Sequence, residues 1–238
     1  MIADAGVDPE ALQRTAYIIT QMLANRPDVI EQMARWTYVV VGKTQLLISS
    51  VPEVRALPQQ LIEEWEVDFD QIIGGGWGPS VCLGCEGGGA TPHTMVSEAN
   101  VLCSGHPIDT HTTEDVAVHE LAHGIHSSFE MQEQSSGLAW DDPETFDAQL
   151  QRLYEDAIAS GIWEGHYAAT NNREYFAEMF QYWSGTNDND YVWTMTLNRP
   201  FDLSRQRHEL AAYDPPISEF LAEHFGEIAV TGSCHYSK

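Results

Sequence analysis

The sequence predicts an α+β fold, a small early sheet followed by helices, on three observations. An alternating, β-branched stretch, "WTYVVVGKTQLLISSVPEV", lies in the first third of the chain. Segments with helical caps and helical spacing of apolar residues dominate the second half. No repeat, low-complexity tract or long linker divides the 238 residues, so a single domain over 1–238 is expected. Within it, helix, small sheet and loops run to about residue 110, and the helices that carry the chemistry fill 111–238.

Taken in order, "DPEALQRTAYIITQMLANRP" reads as a helix with Asp8 as its cap, Pro9 at the first helical position and Pro27 as its stop. The β-branched stretch reads as a strand pair around a turn at Gly42, and "GGGWGPSVCLGCEGGG", Gly74 to Gly89, as a loop. "DTHTTEDVAVHELAHGIHSSF" predicts a helix capped by Thr112 or Thr113, with Glu114 and Asp115 at its positive end. Further helices are expected from Pro143 to about Ser160, over "REYFAEMFQYW" after a break at "GIWEGHYAATNN", and over "PPISEFLAEHFGE" with Pro216 near its start.

Eleven Lys and Arg stand against 36 Asp and Glu, a formal net charge of −25. Such a surface repels phosphate backbones, so nucleic acid and anionic membrane are excluded as expected partners. No apolar run reaches membrane-spanning length, and "MIADAGVDPEALQ" lacks a basic segment followed by an apolar one, so a soluble protein is expected. Four cysteines occur, and Cys82 and Cys85 form a CxxC with no second CxxC, which argues against a structural zinc ribbon. Two disulfides are the expected use, with Cys85–Cys103 and Cys82–Cys234 favoured because the second ties down the tail. That places maturation in an oxidising compartment.

The stretch "VHELAHGIHSS" carries the chemistry. Residues four apart on a helix differ by about 40° in direction, so His119 and His123 project from one face, the spacing two imidazole ligands need around a single zinc ion. Glu120 points about 100° away, where its carboxylate can reach a metal-bound water without ligating, which suits a general base. Small Ala122 and Gly124 let another backbone approach. A catalytic zinc wants three protein ligands and an open position. His126 comes too early to be the third ligand of the extended HExxH patterns and reads as exposed or as supporting a ligand from outside. Asp188, in "GTNDNDY", stands 65 residues after His123 and reads as a turn residue. Glu174 is the better third ligand. It lies one helical turn from Glu178 amid Phe176, Met179 and Phe180, and two carboxylates beside an apolar face need partners that zinc and its histidines would supply.

HELAH, Tyr167, Glu174 seven residues later and Glu178 one turn on resemble the gluzincin peptidases with an anthrax lethal factor-type catalytic domain, a group that includes the clostridial Pro-Pro endopeptidases. The likeness covers about Glu114 to Trp183. It implies a zincin-like fold with a small mixed sheet and the HExxH helix packed on a mainly helical C-terminal half. It also implies His119, His123 and Glu174 as zinc ligands, Glu120 as general base, Tyr167 as the oxyanion stabiliser and Glu178 as the carboxylate that orients His119. "ANVLC", "YAATNNREY" and "ELAAYDP" are similar to segments of poorly characterised secreted zincin-like proteins, which implies secretion. A metalloendopeptidase is therefore expected, with a peptide or protein substrate held extended along a strand edge near Tyr38–Val41 or Thr94–Val96. Two other functions fit the same motif. One is a zinc enzyme acting on a polysaccharide, with Trp77, Trp140 and Trp163 as stacking platforms, and the other is a silent zincin-like binding protein.

Overall fold

The computed structural model describes residues 1–3, 6–36, 38–42, 75–77, 93–105, 114–139, 142–187 and 206–231. Four short strands, β1 (Ile2–Ala3), β2 (Tyr38–Gly42), β3 (Gly75–Trp77) and β4 (His93–Ser97), form one sheet in the order β1-β2-β4-β3. The first three in that order run parallel, and β3 pairs antiparallel with β4, so the sheet is mixed. Eight α-helices are described: α1 (Pro9–Met22), α2 (Pro27–Trp36), α3 (Glu98–Leu102), α4 (Val116–Ser135), α5 (Phe146–Ser160), α6 (Asn172–Ser184), α7 (Gln206–Tyr213) and α8 (Pro215–Phe225). The arrangement is α+β. Among the described residues no helix is long and apolar enough to cross a membrane.

The first helix begins where the sequence places a cap. Asp8 caps α1 by accepting from the Glu10 N–H, Pro9 is its first residue, and Asp214 caps α8 ahead of Pro215 and Pro216. Pro27 acts differently from expectation: α1 ends at Met22, and Pro27 opens α2, because a proline lacks only a donor that the first helical turn leaves unused. The helix carrying the histidines is capped by Asp115, not by Thr112 or Thr113, which lie outside the described residues. Glu114 lies before the helix, bridged to Asn187. Gln206–Tyr213, a stretch for which the sequence reading names no element, forms α7.

The sheet corrects three expectations. Val40 and Val41 have strand partners on both sides, Ile2 and Ala3 on one and Met95 and Val96 on the other, so no hairpin partner can pair there. Gly75–Trp77, inside the expected loop, is a strand, whereas Pro79 to Gly89 lies outside the described residues. Neither β2 nor β4 is an edge, and among the described residues β1 and β3 are, so an extended substrate cannot add to the two segments expected to receive it. Cys103 is disulfide-bonded, and Cys82, Cys85 and Cys234, its expected companions in the favoured pairing, lie outside the described residues.

The core lies between the sheet and α4 on one side and among α4, α5, α6 and α8 on the other. Val41 and Val96 from the sheet, Leu121 and Ile125 from α4, Phe176 and Phe180 from α6, and Leu221 and Phe225 from α8 are all essentially inaccessible. Phe129 and Phe146 stack in parallel with centroids 4.2 Å apart, and Phe146 meets Phe176 edge to face, which locks α5 against both α4 and α6. From Val116 to Glu130 every residue of α4 except the part-buried Glu120 is buried.

Gly124 is what lets β4 come so close to α4. A Cβ built there would stand 3.1 Å from Thr94 Cγ2 and 3.4 Å from Met33 Cε. Thr94 cannot turn away freely, because its hydroxyl donates to the Glu120 carbonyl. For Gly124→Ala we expect the helix-propensity gain of about 1 kcal/mol to be outweighed by an overpacking cost of about 1–3 kcal/mol. The net loss, about 1 kcal/mol, is read from the urea unfolding midpoint; a variant more stable than the parent would refute this close packing.

Candidate metal centre

Helix α4 is set against α6 by its capping residue, Asp115. The Asp115 side chain accepts from the Val118 N–H, its own N–H donates to the Thr186 carbonyl just past the end of α6, and its carbonyl accepts from Gln181 Nε2 at 2.9 Å. These bonds fix the axial register of the two helices. At the other end of α6, the Asn171 carboxamide oxygen caps the helix by accepting from the N–H groups of Arg173 and Glu174, each at 2.9 Å. Glu174, Glu178 and Gln181 then fall at helical spacings of four and three residues and project from one face toward α4.

The register brings the histidines and carboxylates together. His119 Nε2 lies 3.0 Å from Glu174 Oε2, and His123 Nε2 lies 3.4 Å from the same oxygen. The two imidazole rings stand edge to face, with centroids 4.9 Å apart. Both histidines are 7% exposed, low enough that unpartnered polar atoms there would be costly. The far side of His119 is occupied too: Nδ1 faces Gln181 Oε1 at 3.3 Å and Glu178 Oε1 at 3.4 Å. With acceptors at Nδ1, that nitrogen keeps its proton, and Nε2, which faces Glu174 and His123, is the nitrogen that gives up its proton to a metal. Asn187 completes the support by donating to Glu178 Oε2 at 2.9 Å and to Gln181 Oε1 at 3.3 Å.

The donor set fits a zinc ion. Ligand atoms about 2.0–2.1 Å from a tetrahedral zinc lie about 3.3 Å from one another, and the separations of 3.0 and 3.4 Å match that spacing. His119, His123 and Glu174 each offer one ligand atom within 4.8 Å of the others. Burial opposes a charge on His119, but its hydrogen bonds to Glu174 and Glu178 outweigh it and hold the imidazole well above its ordinary range. His123 is pushed down, chiefly by burial. Burial raises Glu174, but its hydrogen bonds from His119 and His123 prevail and hold the carboxyl far below the usual carboxylate range. A proton shared between His119 and Glu174 therefore stands where a cation would.

That proton gives the site a signed pH dependence. With His119 raised, a metal must displace its proton at neutral pH, so apparent zinc affinity should climb about tenfold per pH unit and level off above the raised value. In the metal-free protein the same charge stabilises the fold fully below the unfolded-state value, and that stabilisation is lost as pH rises through the folded value. The rise in unfolding temperature on adding zinc should therefore grow from pH 6 toward alkaline pH. A zinc-induced shift that is flat or shrinks with pH would contradict this arrangement.

Glu120 and Tyr167 border the cluster. Glu120 is part-buried and, like Glu174 and Glu178, acts electrostatically on both His119 and Tyr167. Tyr167 opens the 3-10 turn Tyr167–Ala169 and is 57% exposed, with its ring centroid 6.1 Å from that of His119. Burial of its hydroxyl, then the carboxylates of Glu174, Glu120 and Glu178, push it up, so it remains a proton donor at neutral pH. Glu178 also approaches His166, whose Nε2 is 3.8 Å from Glu178 Oε2.

His126 is neither exposed nor part of this cluster: it is fully buried, and Nε2 pairs with Asp147 Oδ1 at 2.8 Å. Asp188 lies outside the described residues, as does Trp140. Trp163 is no exposed stacking platform; it is fully buried and donates from Nε1 to Asp214 Oδ2. Sequence reasoning missed Asp115, Gln181 and Asn187. Gln181 continues the Glu174–Glu178 spacing on α6 and was legible by that signal, whereas Asn187 reaches the site from a loop, where no periodicity points to it. Scans against family models, curated proteins and solved structures return no match.

Proposed function

We propose that this chain is a zinc-dependent hydrolase, a secreted metalloendopeptidase of the gluzincin type with a zincin-like fold. The observation that carries this reading is the convergence of His119 Nε2, His123 Nε2 and Glu174 Oε2, with Glu120 and Tyr167 beside them. The resemblance of HELAH, Tyr167, Glu174 and Glu178 to that peptidase group supports it, as does the small mixed sheet. The disulfide at Cys103 supports maturation in an oxidising compartment.

His119, His123 and Glu174 would hold the ion. Bound there, zinc would supply a Lewis acid for a carbonyl and lower the pKa of a water toward 7. Glu120 accepts the proton of the attacking water and delivers it to the leaving amine. Tyr167, kept protonated, donates to the oxygen on which negative charge develops. Its exposure at the rim lets it close on a substrate. Gln181 and Glu178 hold His119 in the tautomer that leaves Nε2 free. Among the described residues β3, which packs against α4, is an edge to which an extended peptide could add.

The test is cleavage of an unbiased peptide library by zinc-loaded protein. We expect internal cleavage that stops under a chelator and returns with zinc. Turnover of a polysaccharide panel without peptide cleavage, or zinc binding without turnover of either, would overturn the peptidase reading.

A further inference from the structure

One turn beyond His123 on α4, a second group of donors faces the N-terminus of α5. His126 Nε2 lies 2.8 Å from Asp147 Oδ1 and 4.0 Å from Glu130 Oε1, and one ligand atom from each residue lies within 4.8 Å of the others. Asn172 Nδ2 donates to Asp147 Oδ1 at 3.1 Å. Beside the group is a pocket of about 230 Å³, open solvent included, with Glu130, Glu133, Gln134, Thr145 and Asp147 as its polar walls.

Acidic clusters are common on so acidic a chain, but here a buried atom asks for a ligand. Glu130 is 4% exposed. Arg173 binds its Oε1, while Oε2 is buried with no hydrogen-bond partner; the same is true of His126 Nδ1 on a fully buried ring. An unpaired carboxylate oxygen at this depth is costly unless something positive meets it. The surrounding charge points the same way. Burial first, then the charges of Asp147, Glu130 and Asp142, push the Glu133 carboxyl up.

We propose that His126, Glu130 and Asp147 form a second divalent-cation site, separate from the His119–His123–Glu174 cluster. One imidazole among several oxygen donors suits a Mn²⁺-class ion better than an ion that seeks thiolates. Arg173 holds Glu130 Oε1, which leaves Oε2 to meet the cation, so the ion would join α4 to α5. The inference does not depend on catalysis at the first cluster.

Electron paramagnetic resonance of Mn²⁺ added to zinc-loaded protein tests it, since bound Mn²⁺ loses the sharp signal of the free ion. The expected result is one bound Mn²⁺ per chain, weakened at least tenfold in Asp147→Asn and in Glu130→Gln and retained in His123→Ala. Both conservative variants keep acceptors for His126 and Arg173, and if one fails to fold by circular dichroism the other decides. Absence of bound Mn²⁺ in the parent, binding unaffected by either variant, or binding lost with His123→Ala would each overturn the site. The His123→Ala arm separates this outcome from a failure of the first cluster.

Discussion

Replacing Glu120 with Gln is expected to lower peptide cleavage by about 10²–10⁴-fold while zinc stays bound. The carboxamide has the same shape and keeps the helix intact, but it cannot accept the proton of the attacking water. Glu120 is not among the three converging ligand atoms, so metal content should be that of the parent. Its carboxylate also raises His119 and Tyr167, so removing its charge should lower both slightly, which pH titration by NMR can follow. Steady-state kinetics with metal analysis of the same preparation checks the prediction. Unchanged cleavage would remove Glu120 from the reaction, and loss of zinc along with activity would make it a ligand instead of a base.

Glu174→Gln should do the opposite: the metal goes first. The oxygen facing both His119 and His123 belongs to this carboxylate, and a neutral amide is a poor ligand for a divalent cation. Losing an outer partner of a metal ligand typically costs 10–100-fold in affinity, so losing a ligand should cost more than about 100-fold. Competition with a chelating dye measures this directly. The variant should also lower the titration point of His119, because Glu174 is the first of the groups that raise it. Zinc affinity within about threefold of the parent would exclude Glu174 as a ligand.

How far these residues could be read from the sequence depends on where each signal lives. His119, Glu120 and His123 lie within one helical turn and a half, so their geometry follows from helix periodicity alone. Glu174 and Glu178 were legible as a pair on one helical face, and the structure places that face against α4. What fixes the distance between the two helices was not legible. It comes from Asp115 bonding across to Thr186 and Gln181, and such contacts between distant segments leave no periodic trace. The same limit explains the sheet. Alternation marked Tyr38–Gly42 as a strand, but its partners, Ile2–Ala3 and His93–Ser97, are set by long-range pairing. His126 is neither exposed nor a support for a ligand of the first cluster, because helix position predicts direction, not what packs there; Phe146 and Phe176 close over it.

X-ray absorption at the zinc edge, on protein dialysed after loading with one equivalent, reads the donor atoms of the first cluster directly. The account predicts nitrogen and oxygen scatterers at about 2.0–2.1 Å, with the outer-shell pattern of two imidazoles, and loss of that spectrum in His123→Ala. A shell of sulfur at about 2.3 Å, or a parent protein that retains no zinc, would contradict it.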